Sequence, residues 1–276
     1  MPVQTDLPKL YRRPINVWVE DSLTSEYLQE LWREPRALLL IAGATDSVKP
    51  AVQDAARNGA SNVFGIVDRD FENTNRQRWE NAQLRCFVVP VHEMENYLLD
   101  EYALAGCDQN NQSRSADDIL ARMRDRAKGL LLWMAVCHTL KRVRRYCLDD
   151  YPQRPSTTEI ATLNEAWQFI EQSRWFQSFS ARAADIAAPA TVQGWLSDAF
   201  TSLDHDLATD DWKQTFSGKE ILRDIRGFIY QPPQTAPPSV HDVDLAQSVA
   251  RWQADNGRVP NDLMELLRLL RTKAGV

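Results

Sequence analysis

The chain has only four cysteines and four histidines among its 276 residues. Cys86, Cys107, Cys137 and Cys147 show no C-x-x-C spacing and no metal-like pairing with histidine, so they read as reduced thiols rather than as a disulfide framework or a zinc knuckle. No uncharged apolar run is long enough to span a bilayer; the densest, residues 129–136, is too short. The opening M-P-V-Q-T-D-L-P-K-L-Y-R-R holds no apolar signal-peptide core, and the expectation is a soluble, cytoplasmic protein without membrane attachment. No G-x-x-x-x-G-K-[ST] loop is present, which excludes nucleotide hydrolysis by that route. Internal repeats and long heptad runs are also missing. Positive charge is not in excess: a net charge of -6 and a pI near 5.3 do not announce a nucleic-acid binder, although they are compatible with a local basic face.

What is present is 43% hydrophobic residues, enough for a substantial core and one or two domains. Residues 15–19, I-N-V-W-V, read as a strand that ends on Glu20 and Asp21. A helix over 23–31 follows, with Ser22 or Thr24 as its cap, then a strand at 37–41 and a helix over 47–58 stopped by Asn58-Gly59. Residues 62–70, N-V-F-G-I-V-D-R-D, are an apolar run halted by two carboxylates; a fourth strand at 85–89 and a helix at 94–104 complete the series. Strands and helices in alternation, with continuous apolar strands, predict a parallel sheet covered on both faces. From residue 115 on only helical patterns occur, at 116–146 with a break at Gly129, 159–186, 191–203, 212–230, 243–254 and 262–271. Residues 231–240 form a proline-rich connector, and the recurring Trp167, Trp175, Trp195, Trp212 and Trp252 are expected to pack between helices. The predicted architecture is an α/β part over 1–110 and a helical part over 111–276.

Ligands of parallel sheets sit beyond the carboxyl ends of the strands. Here those ends carry Glu20, Asp21, Asp46, Asp68, Asp70 and Glu72, followed by His92, Glu93 and Glu95. Residues i and i+2 of an extended chain point the same way, so Asp68 and Asp70 would stand side by side and repel. A hard divalent cation with oxygen ligands would relieve that repulsion. The plain alternative is two solvated aspartates opening a loop.

V-W-V-E at the first strand end, V-D-R-D at the third and H-E-M-E-N-Y-L-L after the fourth together resemble a toprim domain, the fold shared by topoisomerases, primases and a set of nucleases. The E-N-Y-L-L element, the G-K-E-I-L of residues 218–222 and the closing V-P-N-D-L-M-E-L-L resemble the DUF4435 branch of toprim-like proteins. That branch includes the effector nuclease of PARIS-type anti-phage defence and is similar to the overcoming-lysogenization-defect nucleases. The resemblance covers residues 15–104 well and the helical remainder only through short matches. It implies a Rossmann-like toprim sheet and a magnesium-dependent nuclease, manganese being an alternative ion, which cleaves RNA, tRNA among the candidates, or DNA. It also implies a separate ABC-type ATPase as sensor partner, with a homodimer as a further option. By position Glu20 matches the catalytic glutamate, Asp68 and Asp70 the metal-binding pair, and Glu95 the acid of the E-N-Y-L element. Two departures stand out: Asp21 follows the glutamate where the family carries glycine, and Glu72 takes the place of a third aspartate. Cleaving a phosphodiester requires charge stabilisation on the entering and leaving oxygens. Glu20 suits a general acid or base or a metal ligand, and Lys219 suits stabilisation of phosphate charge or, equally, a solvated helix start.

Other signals have plainer readings. Arg122, Arg124, Arg126 and Lys128, with Lys141, Arg142, Arg144 and Arg145, would attract phosphates but more simply form a salt-bridged helix face, since acids interrupt them. His92 at a strand end reads as hydrogen-bonded, Cys137-His138 as packed within a helix, Tyr97 and Leu98 as core, and Asn96 as a group that orients a carboxylate. Asp204-His205-Asp206 and His241-Asp242 read as surface. Two further functions fit the chain: a non-catalytic toprim-fold docking module for an ATPase partner, which Asp21 favours, and a phosphoryl-transfer domain using Asp68.

Overall fold

In the parallel sheet the neighbours run β2-β1-β3-β4, all four strands in one direction. They are β1 (Ile15–Val19), β2 (Ala37–Ile41), β3 (Val63–Val67) and β4 (Cys86–Val88). The computed structural model describes residues 10–43, 45–71, 85–144, 155, 160–174, 176–177, 189–231 and 242–276. Glu72, Arg145, Cys147, Trp175, His241, residues 232–240 of the connector and the side chain of Asp46 lie outside the described parts.

Alternation along β1 sorts its side chains. Ile15, Val17 and Val19 enter the main core, while Trp18 packs with Val52, Ala55, Val63 and Cys86 on the opposite face. Helix α2 (Thr45–Arg57) supplies that second face. Helix α1 (Ser22–Trp32) lies over the first, and against it packs α9 (Asp242–Asp255), far along the chain. Tyr27 donates its hydroxyl to Gln253 Oε1 at 2.8 Å, and Trp32 Nε1 donates to the Leu263 carbonyl at the start of α10 (Asn261–Ala274). One hydrophobic cluster therefore runs from β1 through to α10. Strand β2 is the half-exposed edge.

Between the sheet and the C-terminal helices lie a 3-10 turn (Met94–Leu98), α3 (Glu101–Gly106), α4 (Ala116–Arg144), α5 (Leu163–Gln172), α6 (Pro189–Ala208), α7 (Trp212–Thr215) and α8 (Gly218–Ile229). Several boundaries differ from the periodicity. Asp21, not Ser22 or Thr24, caps α1, its Oδ1 accepting from Thr24 N at 2.8 Å. The stretch expected as one helix over 94–104 is split, because the Glu93–Asn96 capping box winds a 3-10 turn and Asp100 then caps α3. Gly129 does not interrupt α4: the buried Ala127, Leu130 and Trp133 around it hold the helix at the modest cost of one glycine, about 1 kcal/mol. The helix over 212–230 breaks at extended Phe216, after which Ser217 caps α8. Of the 159–186 pattern, α5 begins only at the Thr162–Glu165 capping box.

Cys86, Cys107 and Cys137 are buried thiols outside any disulfide. Arg122, Arg124, Arg126 and Lys128 are paired with Asp224, Asp210, Glu220 and Asp125, the salt-bridged face expected of α4. Among the described residues no helix is long and apolar enough to cross a membrane.

Gly218 shows how tightly α8 is seated. A Cβ there would stand 2.5 Å from the Asn96 amide nitrogen and 2.7 Å from the Glu95 carbonyl carbon, both backbone atoms that cannot swing aside. The glycine of G-K-E-I-L thus permits helix and turn to touch. Gly218→Ala is expected to lower stability by about 2–3 kcal/mol, read as a shift in urea midpoint at unchanged m-value. A shift below a few tenths of a kcal/mol would show that the two backbones have room to part.

Candidate active site

The register that sets Trp18 opposite Gly65 carries Glu20 level with the end of β3. There the Glu20 carboxylate accepts from the Asp68 backbone N–H at 2.7 Å, across 48 residues of chain. Asp68 in turn accepts on Oδ1 from Met94 N at 2.9 Å, at the start of the 3-10 turn. That turn brings in Glu93 and Glu95, both buried. Glu93 Oε2 accepts from Ser217 Oγ at 2.9 Å and from Lys219 N at 3.0 Å, so a carboxylate on the sheet side satisfies one first-turn amide of α8 and the hydroxyl that caps it.

The acids press on one another. Burial first, and then the charges of Glu95, Glu20, Glu93 and Asp70, raise the Asp68 carboxyl well above the ordinary carboxylate range. Glu95 is pushed up to about 8, again by burial first, with Glu93 and Asp21 adding and Lys219 opposing. Glu20, Asp68, Glu93 and Glu95 therefore form one acidic group at the strand ends, with Asp21, Asp70 and Lys219 close enough to be felt.

Lys219 is exposed at the first turn of α8; its amide holds Glu93 and its ammonium acts on Glu95. Asp70 acts on Asp68 by its charge but lies past the end of the extended segment. Its backbone is left-handed (φ 48°) and its N–H donates to the His92 carbonyl, so the extended geometry that would align it with Asp68 ends before it. Glu72, the remaining predicted ligand, lies outside the described residues. Asn96 and Glu93 cap each other: the Glu93 carboxylate accepts from the Asn96 backbone N–H, while the Asn96 side chain accepts from Glu93 N and donates to the carbonyls of Lys213 and Phe216. Tyr97 and Leu98 are core, as expected.

The donor set is all oxygen, which suits a hard divalent ion. Among the described residues no three acidic, imidazole or thiol groups are already gathered as a metal site. One oxygen each of Glu20, Asp68 and Glu93 accepts from a backbone amide.

Beside the acids opens a cavity of about 530 Å³ between the strand ends, α4 and α6. Asp70, Phe71, His92, His138, Arg142 and Trp195 are among its walls. Asp206, expected at the surface with Asp204 and His205, is instead buried and lines it too. His138 does pack within α4, as expected, but also faces this space. Burial, and then His92, hold its imidazole down to about 3, hence neutral. Neither residue carries a local signal of this role, because a helical position shows only which face is buried, not what lies opposite.

No protein-family model matches the chain, and no curated protein matches it in sequence.

Proposed function

We propose that the chain is a toprim-type, divalent-cation-dependent nuclease that cleaves phosphodiesters of RNA, tRNA included, or of DNA. The observation that carries this is the Glu20 carboxylate on the Asp68 N–H at the ends of adjacent parallel strands, with buried Glu95 near enough for its charge to act on Asp68. Carboxylates that raise one another's pKa at a strand-end rim are a frequent mark of phosphoryl chemistry. Glu20, Asp68 and Glu95 would hold the ion, with Asp70 and Glu72 following on the same segment. A bound magnesium ion would supply charge neutralisation and a water of lowered pKa. The chain's own part is to keep these oxygens together, to exclude bulk water with the 3-10 turn, and to place Lys219 beside them for developing phosphate charge. The resemblance of V-W-V-E, V-D-R-D and E-N-Y-L-L to the DUF4435 branch extends the reading to an anti-phage effector held by an ABC-type ATPase.

The test is incubation of the purified protein with total tRNA, supercoiled plasmid and single-stranded DNA, in magnesium and in chelator. Cleavage of at least one, lost in chelator, is expected. No cleavage of any, joined to no heat on titration with magnesium or manganese, would overturn the reading. A docking module is the second reading. It is favoured by Asp21, which serves as the α1 cap where the family has glycine, and by the amides already bound to Glu20 and Asp68. It requires the calorimetric titration to be silent.

A further inference from the structure

The outer edge of β2 lacks the usual guards of an edge strand. Its sequence A-L-L-L-I holds neither charge nor proline. Residues 37–40 are half-buried, and Ile41, at 52% exposure, is the most exposed large apolar side chain among the described residues. The Ile15 N–H donates to the Arg36 carbonyl and the Ala42 N–H to the Val19 carbonyl, so the even-numbered residues of β2 bond to β1 in this parallel ladder. The N–H and C=O groups of Leu39 and Ile41, with the Ala37 carbonyl, therefore point away from the sheet. The Ala37 N–H, on the same side, is held by the Glu34 carbonyl at 3.1 Å. Among the described residues no strand pairs with that side.

The two ends of this edge differ in charge. At its start Glu34 is shared by Arg36 and Arg271, which leaves positive charge in excess. At its finish the Gly43 N–H donates to the Glu20 carbonyl, which sets the acids Glu20 and Asp21 beside it. An antiparallel neighbour of the same sequence lays each end against its opposite, whereas a parallel one lays like on like. We propose that two copies of this chain join β2 to β2, antiparallel about a two-fold axis at Leu39, in one continuous sheet. Each Leu39 N–H then donates to the Leu39 carbonyl of the second copy, and each Ile41 N–H to its Ala37 carbonyl. The side chains suit that register: small Ala37 faces large Ile41, and Leu38 faces Leu40, which covers the half-exposed apolar strand. Arg36 of the second copy comes opposite Ala42, which stands level with Glu20 in the β1–β2 register. Arg36 bonds Glu34 through Nε and Nη2 and its side chain is 46% exposed, so each copy brings positive charge towards the acidic rim of the other. The pairing goes beyond the nuclease reading and does not depend on it.

The experiment is sedimentation velocity of the full chain from about 1 to 100 µM, without nucleic acid or metal. The parent is expected to pass from monomer to dimer across that range, because a short strand edge is a small interface. Ile41→Lys sets a like charge beside Arg36 of the second copy, and Ile41→Pro removes an N–H that β1 does not use. Each is expected to weaken the dimer about tenfold or more. Ile41 is exposed, so urea midpoints of both variants should stay at the parent's. Leu39→Cys puts a thiol of each copy at the two-fold axis and should give a disulfide-linked dimer in oxidised glutathione, beyond any that the parent forms. Leu40→Cys, which faces Leu38 instead, should not. A parent that stays monomeric at about 100 µM would overturn the proposal and leave the edge to an extended segment of a different protein. A dimer untouched by both Ile41 variants, or one linked through Leu40→Cys and not through Leu39→Cys, would overturn it as well. The two readings fail separately: a monomeric parent that cleaves in magnesium removes the paired edge and keeps the nuclease, and a dimer that cleaves nothing does the reverse.

Discussion

Asp68→Asn is expected to cut magnesium-dependent cleavage by about 10³-fold or more without lowering stability at neutral pH. Asparagine keeps the oxygen that accepts from Met94 N–H, so the 3-10 turn stays docked. It removes a charge that burial and four neighbouring acids already disfavour, so the folded state loses nothing it was using. Glu20→Gln should behave alike, because the amide oxygen still accepts from the Asp68 N–H. Loss of activity at full stability is the signature of a carboxylate kept for chemistry; a structural carboxylate would lose stability first. Initial rates and thermal melts on the same preparations decide it. Cleavage at the parent's rate in both variants would sink the assignment of these two acids.

In chelator, stability is expected to fall by about 2 kcal/mol between pH 6.5 and 8, and Glu95→Gln should abolish most of that fall. Glu95 has a folded pKa of about 8, above the ordinary glutamate value of 4.5. Through that interval the folded chain keeps a proton that the unfolded chain has released, so unfolding is favoured more as pH rises. The loss begins near 4.5 and is complete once pH passes about 8; Asp68, also raised, adds in the same direction. Groups facing Glu95 from its neighbours, Glu93 and Asp21, drive the shift and Lys219 opposes it. Below 6.5 the neutral His138 acts in the opposite sense, since the unfolded chain takes up a proton that the folded chain refuses, and the cleaner window therefore starts above it. Glu34, held down to about 2 first by Arg36 and also by Arg271, is ionised throughout and contributes no slope here. Magnesium should restore the lost stability at pH 8 if it binds the folded acids. Urea denaturation at four pH values with and without magnesium measures both parts. A flat profile in the parent would mean that the acids are solvated and do not press on one another.

The alternating half of the chain was the most legible. A short continuous apolar run such as V-F-G-I-V, bounded by turn residues, reads as a buried strand, and parallel strands deliver their carboxyl ends to one rim; the meeting of Glu20 with the Asp68 N–H further needs β3 beside β1, which the sheet order supplies. Helix existence was also legible in the second half, while helix ends were not. Asp21, Glu93, Asp100 and Ser217 each set a boundary through a hydrogen bond to a backbone amide, and such a bond leaves no periodic trace.

Residue type and the alternation of strands with helices, both written in the sequence, determined that acids would crowd one edge of a parallel sheet. Tertiary structure alone decided the strand order that sets Glu20 on Asp68, and what lay beside the acids. Glu93 reaches Ser217 across 124 residues, Gly218 lets two backbones touch, and His138 and Asp206 face a common cavity from different helices. The physical reason is the same in each case: periodicity records which face of an element avoids water, whereas the partner on that face is selected by packing among segments distant in the chain.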